Sequence, residues 1–168
     1  MNRKTINILF VCTGNSCRSP MAEWILKDLL NRYGIENVSV GSAGMMTPQD
    51  RQSTNDAMMV MVERGIDISS HRSRTLTKRM VEEANLILVM EKVHRFFVED
   101  MVPSAKEKVF LLKEYGSRGR AQDIQDPIGR DLEFYRHCRD ELEKEIERII
   151  PEIVGLISGE ERHPDSIT

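Results

Sequence analysis

The chain has 168 residues, enough for one domain to bury a core without disulfide or metal staples. Its 24 basic and 27 acidic residues leave a formal charge of −3, a balance that argues against a nucleic-acid-binding or membrane-surface protein. The polar start at residues 1–5 and the short apolar run 6–12 make neither a signal-peptide core nor a membrane span, so the expected location is the cytoplasm.

Residues 6–11, Ile-Asn-Ile-Leu-Phe-Val, read as a strand buried on both faces of a parallel sheet. From Pro20, apolar residues at three- and four-residue spacing (Met21, Ala22, Ile25, Leu26, Leu29, Leu30, Tyr33) predict an amphipathic helix that Gly34 stops. A short strand follows at 38–40 and a helix at 55–64 closed by Gly65. Residues 85–90 repeat the buried-strand character, 93–101 read as helix, and 108–112 as a fourth strand. Tyr135, Cys138, Leu142, Ile146, Ile149, Ile153 and Ile157 mark one face of a long C-terminal helix that Pro151 is expected to kink or end. Alternating strands and helices predict an α/β sandwich around a mostly parallel sheet with right-handed crossovers. One domain is expected over residues 1–158, with a polar, frayed tail at 159–168.

The most informative segment is Cys12-Thr13-Gly14-Asn15-Ser16-Cys17-Arg18-Ser19-Pro20, between the first strand and first helix, where open α/β sheets hold their ligands. Such a run can curl so that successive amides point inward, and the helix N-terminus behind it adds its positive dipole end. The product is a nest for a tetrahedral oxyanion. Cys12 at its edge would be held as a nucleophilic thiolate by those amides and by Arg18. Arg18 offers a planar fork that can grip two phosphoryl oxygens. Ser19 can donate its hydroxyl to the Cys12 sulfur, and Asn15 tolerates the left-handed backbone the loop needs. Ser42 and His71 are candidates for bracing that loop.

A phosphatase built on this thiol also needs a proton for the leaving group and a base for the attacking water, and one carboxylic acid can supply both in turn. Asp126, fixed in direction by Pro127 within a loop-like segment, is the candidate, with Asp123 as the fallback. The remaining cysteines, Cys17 and Cys138, complete an odd set of three that lacks zinc or disulfide-framework spacing, so reduced thiols are expected.

With Cys-x5-Arg-Ser at Cys12 to Ser19 and Asp-Pro at Asp126-Pro127, the chain resembles the low-molecular-weight protein-tyrosine phosphatases over residues 6–157. Gly41-Ser42-Ala43-Gly44 and His71-Arg72-Ser73-Arg74 resemble family segments too, with Ser42 and His71 at loop-bracing positions. The resemblance implies a three-layer sandwich of the phosphotyrosine protein phosphatase I-like kind: a four-stranded parallel sheet of order 2-1-3-4 flanked by helices. It also implies phosphoprotein substrates and neither metal nor organic cofactor. Thr13, Gly14, Asn15, Ser16, Cys17 and Ser19 would line the phosphate site. Phosphotyrosine is the first substrate expectation.

Two features depart from the tyrosine-specific pattern. A large aliphatic residue is usual at the Ser16 position, and aromatic walls are usual where this chain has Met46 and Ile128. A small hydroxyl residue at Ser16 resembles the bacterial protein-arginine phosphatases, and its oxygen can accept a hydrogen bond from a guanidinium. The loop also resembles that of thioredoxin-coupled arsenate reductases, but residues 91–104 lack the two further cysteines those enzymes require. Cys17 is expected, by resemblance, to form a reversible disulfide that protects Cys12 from deeper oxidation. A basic rim of Lys78, Arg79, Arg118, Gly119 and Arg120 that attracts phosphoprotein is a further, weaker expectation. A reading of another class is a redox sensor that merely binds an anion, though such a sensor has no need of Asp126.

Overall fold

A computed structural model describes residues 4–159, so the expected frayed tail lies, Gly159 apart, outside the described residues. In chain order the elements are β1 (Ile6–Cys12), α1 (Arg18–Arg32), β2 (Val38–Gly44), α2 (Asn55–Val62), α3 (Lys78–Glu83), β3 (Leu86–Val89), α4 (Lys92–Met101), a 3-10 turn (Pro103–Lys108), β4 (Val109–Leu111) and α5 (Leu132–Ser158). The four strands form one sheet of order β2-β1-β3-β4, every pair parallel.

Because side chains alternate along a strand, each strand serves two cores. Ile8 and Phe10 of β1, with Leu86 and Leu88 of β3, pack against Met21, Leu26, Leu142 and Ile146 of α1 and α5. Leu9 and Val11, with Ile87 and Val89, face the other way onto Val81 of α3 and Val98 of α4. Both faces are therefore covered, which is why β1 and β3 read as unbroken apolar runs. Each such side chain contributes roughly 1.5–3 kcal/mol of burial free energy.

Three elements differ from the sequence expectation. β2 runs on to Gly44, because residues 41–44, weak strand formers alone, are held in register opposite Leu9 to Cys12. The short helix α3 escaped the periodicity argument, since six residues show too little period; Thr77 caps it by accepting from the Met80 amide. Pro151 does not end α5, which continues to Ser158 with Ile149 and Ile153 fully buried on either side of it. Burial of that stripe outweighs the one helical hydrogen bond proline removes.

Among the described residues no helix is long and apolar enough to cross a membrane. Parallel pairing places the C-terminal ends of all strands at one edge of the sheet. The loop after Cys12, the segment after Gly44, the start of α4 and the connection from β4 to α5 therefore converge there.

Candidate active site

The loop from Cys12 to Cys17 has its carbonyls turned outward and individually occupied. Cys12 O accepts from Met45 N at 3.0 Å, Thr13 O from Met46 N at 3.2 Å, and Ser16 O from Thr54 N at 3.1 Å. Gly14 O accepts from the Thr47 hydroxyl at 2.6 Å and Asn15 O from His71 Nε2 at 3.1 Å, while Cys17 O begins the α1 ladder with Met21 N. With the carbonyls committed outward, the amides face the concave side, the arrangement of an anion nest. The close seat of the loop on β2 depends on Gly44: a Cβ there would lie 2.8 Å from Thr13 O and 3.0 Å from Asn15 N.

Cys12 is buried at the end of β1, its sulfur 2.8 Å from Ser19 Oγ and 3.3 Å from the Asn15 amide. Asn15 has φ of 50° and no solvent exposure. Its Nδ2 donates to Ser19 Oγ at 2.8 Å and Ser42 Oγ at 2.9 Å, and its Oδ1 accepts from Arg74 N at 3.1 Å. Ser42 in turn donates to Glu23 Oε1 at 2.6 Å, and Lys27 pairs with the other Glu23 oxygen. Since Asn15 Nδ2 can only donate, the chain has one polarity: Ser19, accepting from Asn15, has its own proton free for the sulfur. His71 has its basicity lowered by burial, and its neutral ring donates Nε2–H to the Asn15 carbonyl.

Arg18 opens α1 and is 2 % exposed, so its charge is neutralised within the site. Nη1 lies 2.9 Å from Glu91 Oε2 and donates to the Ile124 carbonyl at 2.7 Å, and Nη2 lies 3.4 Å from Asp126 Oδ2. Glu91 and Ile124 thereby fix one edge of the guanidinium fork. Ile124 is itself anchored, its amide donating to Met90 O beyond β3. Asp126 is exposed at the rim of the site, and its Oδ1 accepts from the Ile128 amide at 3.1 Å, holding the carboxylate beside the loop. Asp123 is engaged elsewhere: it accepts from Lys92 N at the start of α4, which leaves Asp126 as the acid next to Arg18.

Of the loop side chains, Thr13 is exposed and Ser16 half-exposed, so two hydroxyl residues face the approach to the nest. Ser16 Oγ has one hydrogen-bond partner among the described residues, the Cys17 sulfur at 3.7 Å. Met46 and Ile128 are 77 % and 54 % exposed, an aliphatic pair on the segments that flank the loop. Cys17 is buried, with its sulfur 3.3 Å from Thr54 Oγ1 and 3.5 Å from the Tyr135 hydroxyl. Burial raises its pKa and keeps the thiol protonated. Cys138 sits deeper on α5 and is pushed up to about 12, chiefly by burial. Of the expected basic rim, Arg79 pairs with Glu83 on its own helix, and Arg118 and Arg120 line a cleft with Lys113, Lys144 and Arg148 as well as Glu145 and Glu147, so basic side chains outnumber acidic ones there.

Sequence reasoning passed over Glu23, Thr54, Glu91 and His94, and read Tyr135 only as part of the apolar stripe of α5. The only linear signal was polar residues within apolar helical stripes, as at Glu23 and His94; the contacts themselves span tens of residues.

A parallel α/β sandwich with a thiol, an arginine and an acid at a strand-loop-helix nest defines the class of cysteine-dependent phosphatases. The family model described as "Low molecular weight phosphotyrosine protein phosphatase" matches residues 7–155, and the chain belongs to that family of hydrolases. The protein-arginine-phosphatase of Bacillus subtilis (strain 168) is 38 % identical over 150 residues, covering 88 % of this chain and 97 % of the relative. The probable low molecular weight protein-tyrosine-phosphatase EpsP of Ralstonia nicotianae is 35 % identical over 149 residues, covering 89 % and 97 %. Among solved structures, the YwlE arginine phosphatase from Geobacillus stearothermophilus superposes with a TM-score of 0.84 at 38 % identity, covering 94 % of this chain and 99 % of that one.

Proposed function

We propose that the protein dephosphorylates phosphoproteins in two steps through a cysteinyl-phosphate. The observation that carries this reading is the Cys12 sulfur receiving the Ser19 hydroxyl at 2.8 Å and the Asn15 amide at 3.3 Å inside an anion nest. In the first step the Cys12 thiolate attacks phosphorus, the S–P bond forms, and the bond from phosphorus to the substrate side chain breaks. Asp126 gives its proton to the leaving atom. Loop amides and Arg18 hold the equatorial oxygens as charge redistributes. In the second step Asp126, now a base, takes a proton from water, whose oxygen attacks phosphorus and returns the Cys12 thiolate. Cys12→Ser should abolish turnover while inorganic phosphate still binds; turnover retained in that variant would exclude the mechanism.

Phosphotyrosine is the first substrate, on the family's common activity. A second reading, phosphoarginine, is favoured by the hydroxyls of Thr13 and Ser16 at the approach, by the aliphatic Met46 and Ile128, and by the names of the Bacillus and Geobacillus relatives. Matched peptides carrying either group, with Cys12→Ser as the blank, decide between them by kcat/KM. We place the protein in the cytoplasm, where Cys12 and Cys17 remain reduced thiols, Cys17 serving as a reversible partner when peroxide oxidises Cys12. An anion-binding redox sensor would leave Asp126, 3.4 Å from Arg18, without a task.

A further inference from the structure

His94 lies in the first turn of α4, has no solvent exposure, and takes no part in the steps above. A main-chain amide can only donate, so the Glu91 N–H, 3.0 Å away, makes His94 Nδ1 an acceptor. The proton of the neutral ring therefore sits on Nε2, and that N–H donates to Thr13 Oγ1 at 2.9 Å, nearer than Glu91 Oε2 at 3.5 Å. Burial, and after it the Arg18 charge, push His94 down to about 4, so the neutral ring is the form present near pH 7. The Glu91 whose amide fixes this tautomer also gives its carboxylate to Arg18 at 2.9 Å.

The anchoring of the loop is uneven. At its centre Asn15 is held through Ser42, Ser19, Arg74 and His71, and Ser16 by the Thr54 amide. At its exposed edge Thr13 is held by its carbonyl on the Met46 amide at 3.2 Å, and its side chain has one hydrogen-bond partner among the described residues, the His94 ring. We propose that His94 is a positioning residue: it registers the Thr13 edge of the phosphate loop against the first turn of α4, which carries Arg18 through Glu91. The loop amides and the guanidinium then meet the phosphoryl oxygens as one rigid cradle. This rests on the phosphatase reading, but not on the choice of substrate. The phosphoryl group is common to every substrate, so disturbing the cradle slows phosphotyrosine and phosphoarginine turnover alike.

Three variants test it. Thr13→Val removes the acceptor at an exposed position, His94→Leu removes the donor, and His94→Gln keeps an N–H at similar reach. kcat and KM on both peptides, with inhibition by inorganic phosphate, are measured on variants whose folding is verified by urea denaturation. His94→Leu should lose about tenfold to a hundredfold in kcat/KM, the scale of a small misplacement of catalytic groups, with equal losses on the two peptides and weaker phosphate inhibition. Thr13→Val should add little to that loss in the double variant, because both changes break one contact. His94→Gln should recover most of the activity. Additive losses, a loss confined to one leaving group, or a glutamine variant no better than leucine would overturn the assignment. Should His94→Leu not fold, Thr13→Val carries the test: full activity there overturns it, and an equal loss on both peptides supports it. Wild-type protein that turns over neither peptide above the Cys12→Ser blank removes the phosphatase reading and this inference with it, a failure distinct from the others.

Discussion

Replacing Asn15 separates the two jobs its position combines, a left-handed backbone and a hub of hydrogen bonds. The side chain donates to Ser19 and Ser42 and accepts from the Arg74 amide, all within 3.1 Å and away from solvent. Each such bond is worth roughly 0.5–1.5 kcal/mol net, so Asn15→Gly should cost about 2–3 kcal/mol, in the lower half of the summed range because Ser42 keeps Glu23 as a partner. Asn15→Ala keeps the same deletion but places a Cβ at φ 50°, and should be a further ~0.5–1 kcal/mol less stable than the glycine variant. Urea denaturation with matched slopes measures both costs. Turnover should fall in the two variants together, by about a hundredfold, since Ser19 loses the donor that directs its proton to Cys12. Stability losses below about 0.5 kcal/mol with turnover intact would refute the network as the support of the nucleophile.

Gly44→Ala should leave the protein folded yet cut kcat/KM at least about tenfold, because the added methyl, 2.8 Å from Thr13 O, must push the phosphate loop off β2; unchanged kinetics would mean the loop has slack. Asp126→Ala should slow substrates with poor leaving groups far more than activated aryl phosphates, and equal slowing would reassign the acid. Stability should fall as the solution is acidified. His94 is depressed from 6.5 to about 4, so the unfolded chain binds its proton first; the contribution is complete above pH 6.5 and fades down to about pH 4. The span corresponds to roughly 3 kcal/mol, and His94→Gln should flatten that limb of a denaturation-pH profile, a steep limb in the variant counting against His94 as its source.

Much of this molecule is legible in order of sequence. β1 and β3 are buried on both faces and so announce themselves as apolar runs; the parallel order 2-1-3-4 follows from the family resemblance. The loop is legible because Cys12, Asn15, Arg18 and Ser19 lie within a few residues, and each residue type has a chemical reason to be there. What escapes is contact at a distance. The four residues completing β2 are strand only through pairing with β1, and α3 is too short to show a period. Glu91 and His94 look like polar residues of a surface helix until the fold sets one against Arg18 and the other against Thr13, 81 residues away in sequence. Pro151 does not end α5, because there a local rule met a fully buried stripe.

The most direct test of the mechanism is to quench the enzyme during turnover of a phosphopeptide, and Asp126→Ala during turnover of an activated aryl phosphate whose departure needs no acid, and to locate the phosphoryl group by mass spectrometry. The account predicts phosphate on Cys12, accumulating in the Asp126 variant and absent from Cys17 and Cys138. Steady turnover with no phosphoryl group on Cys12, or with it on another residue, would contradict it.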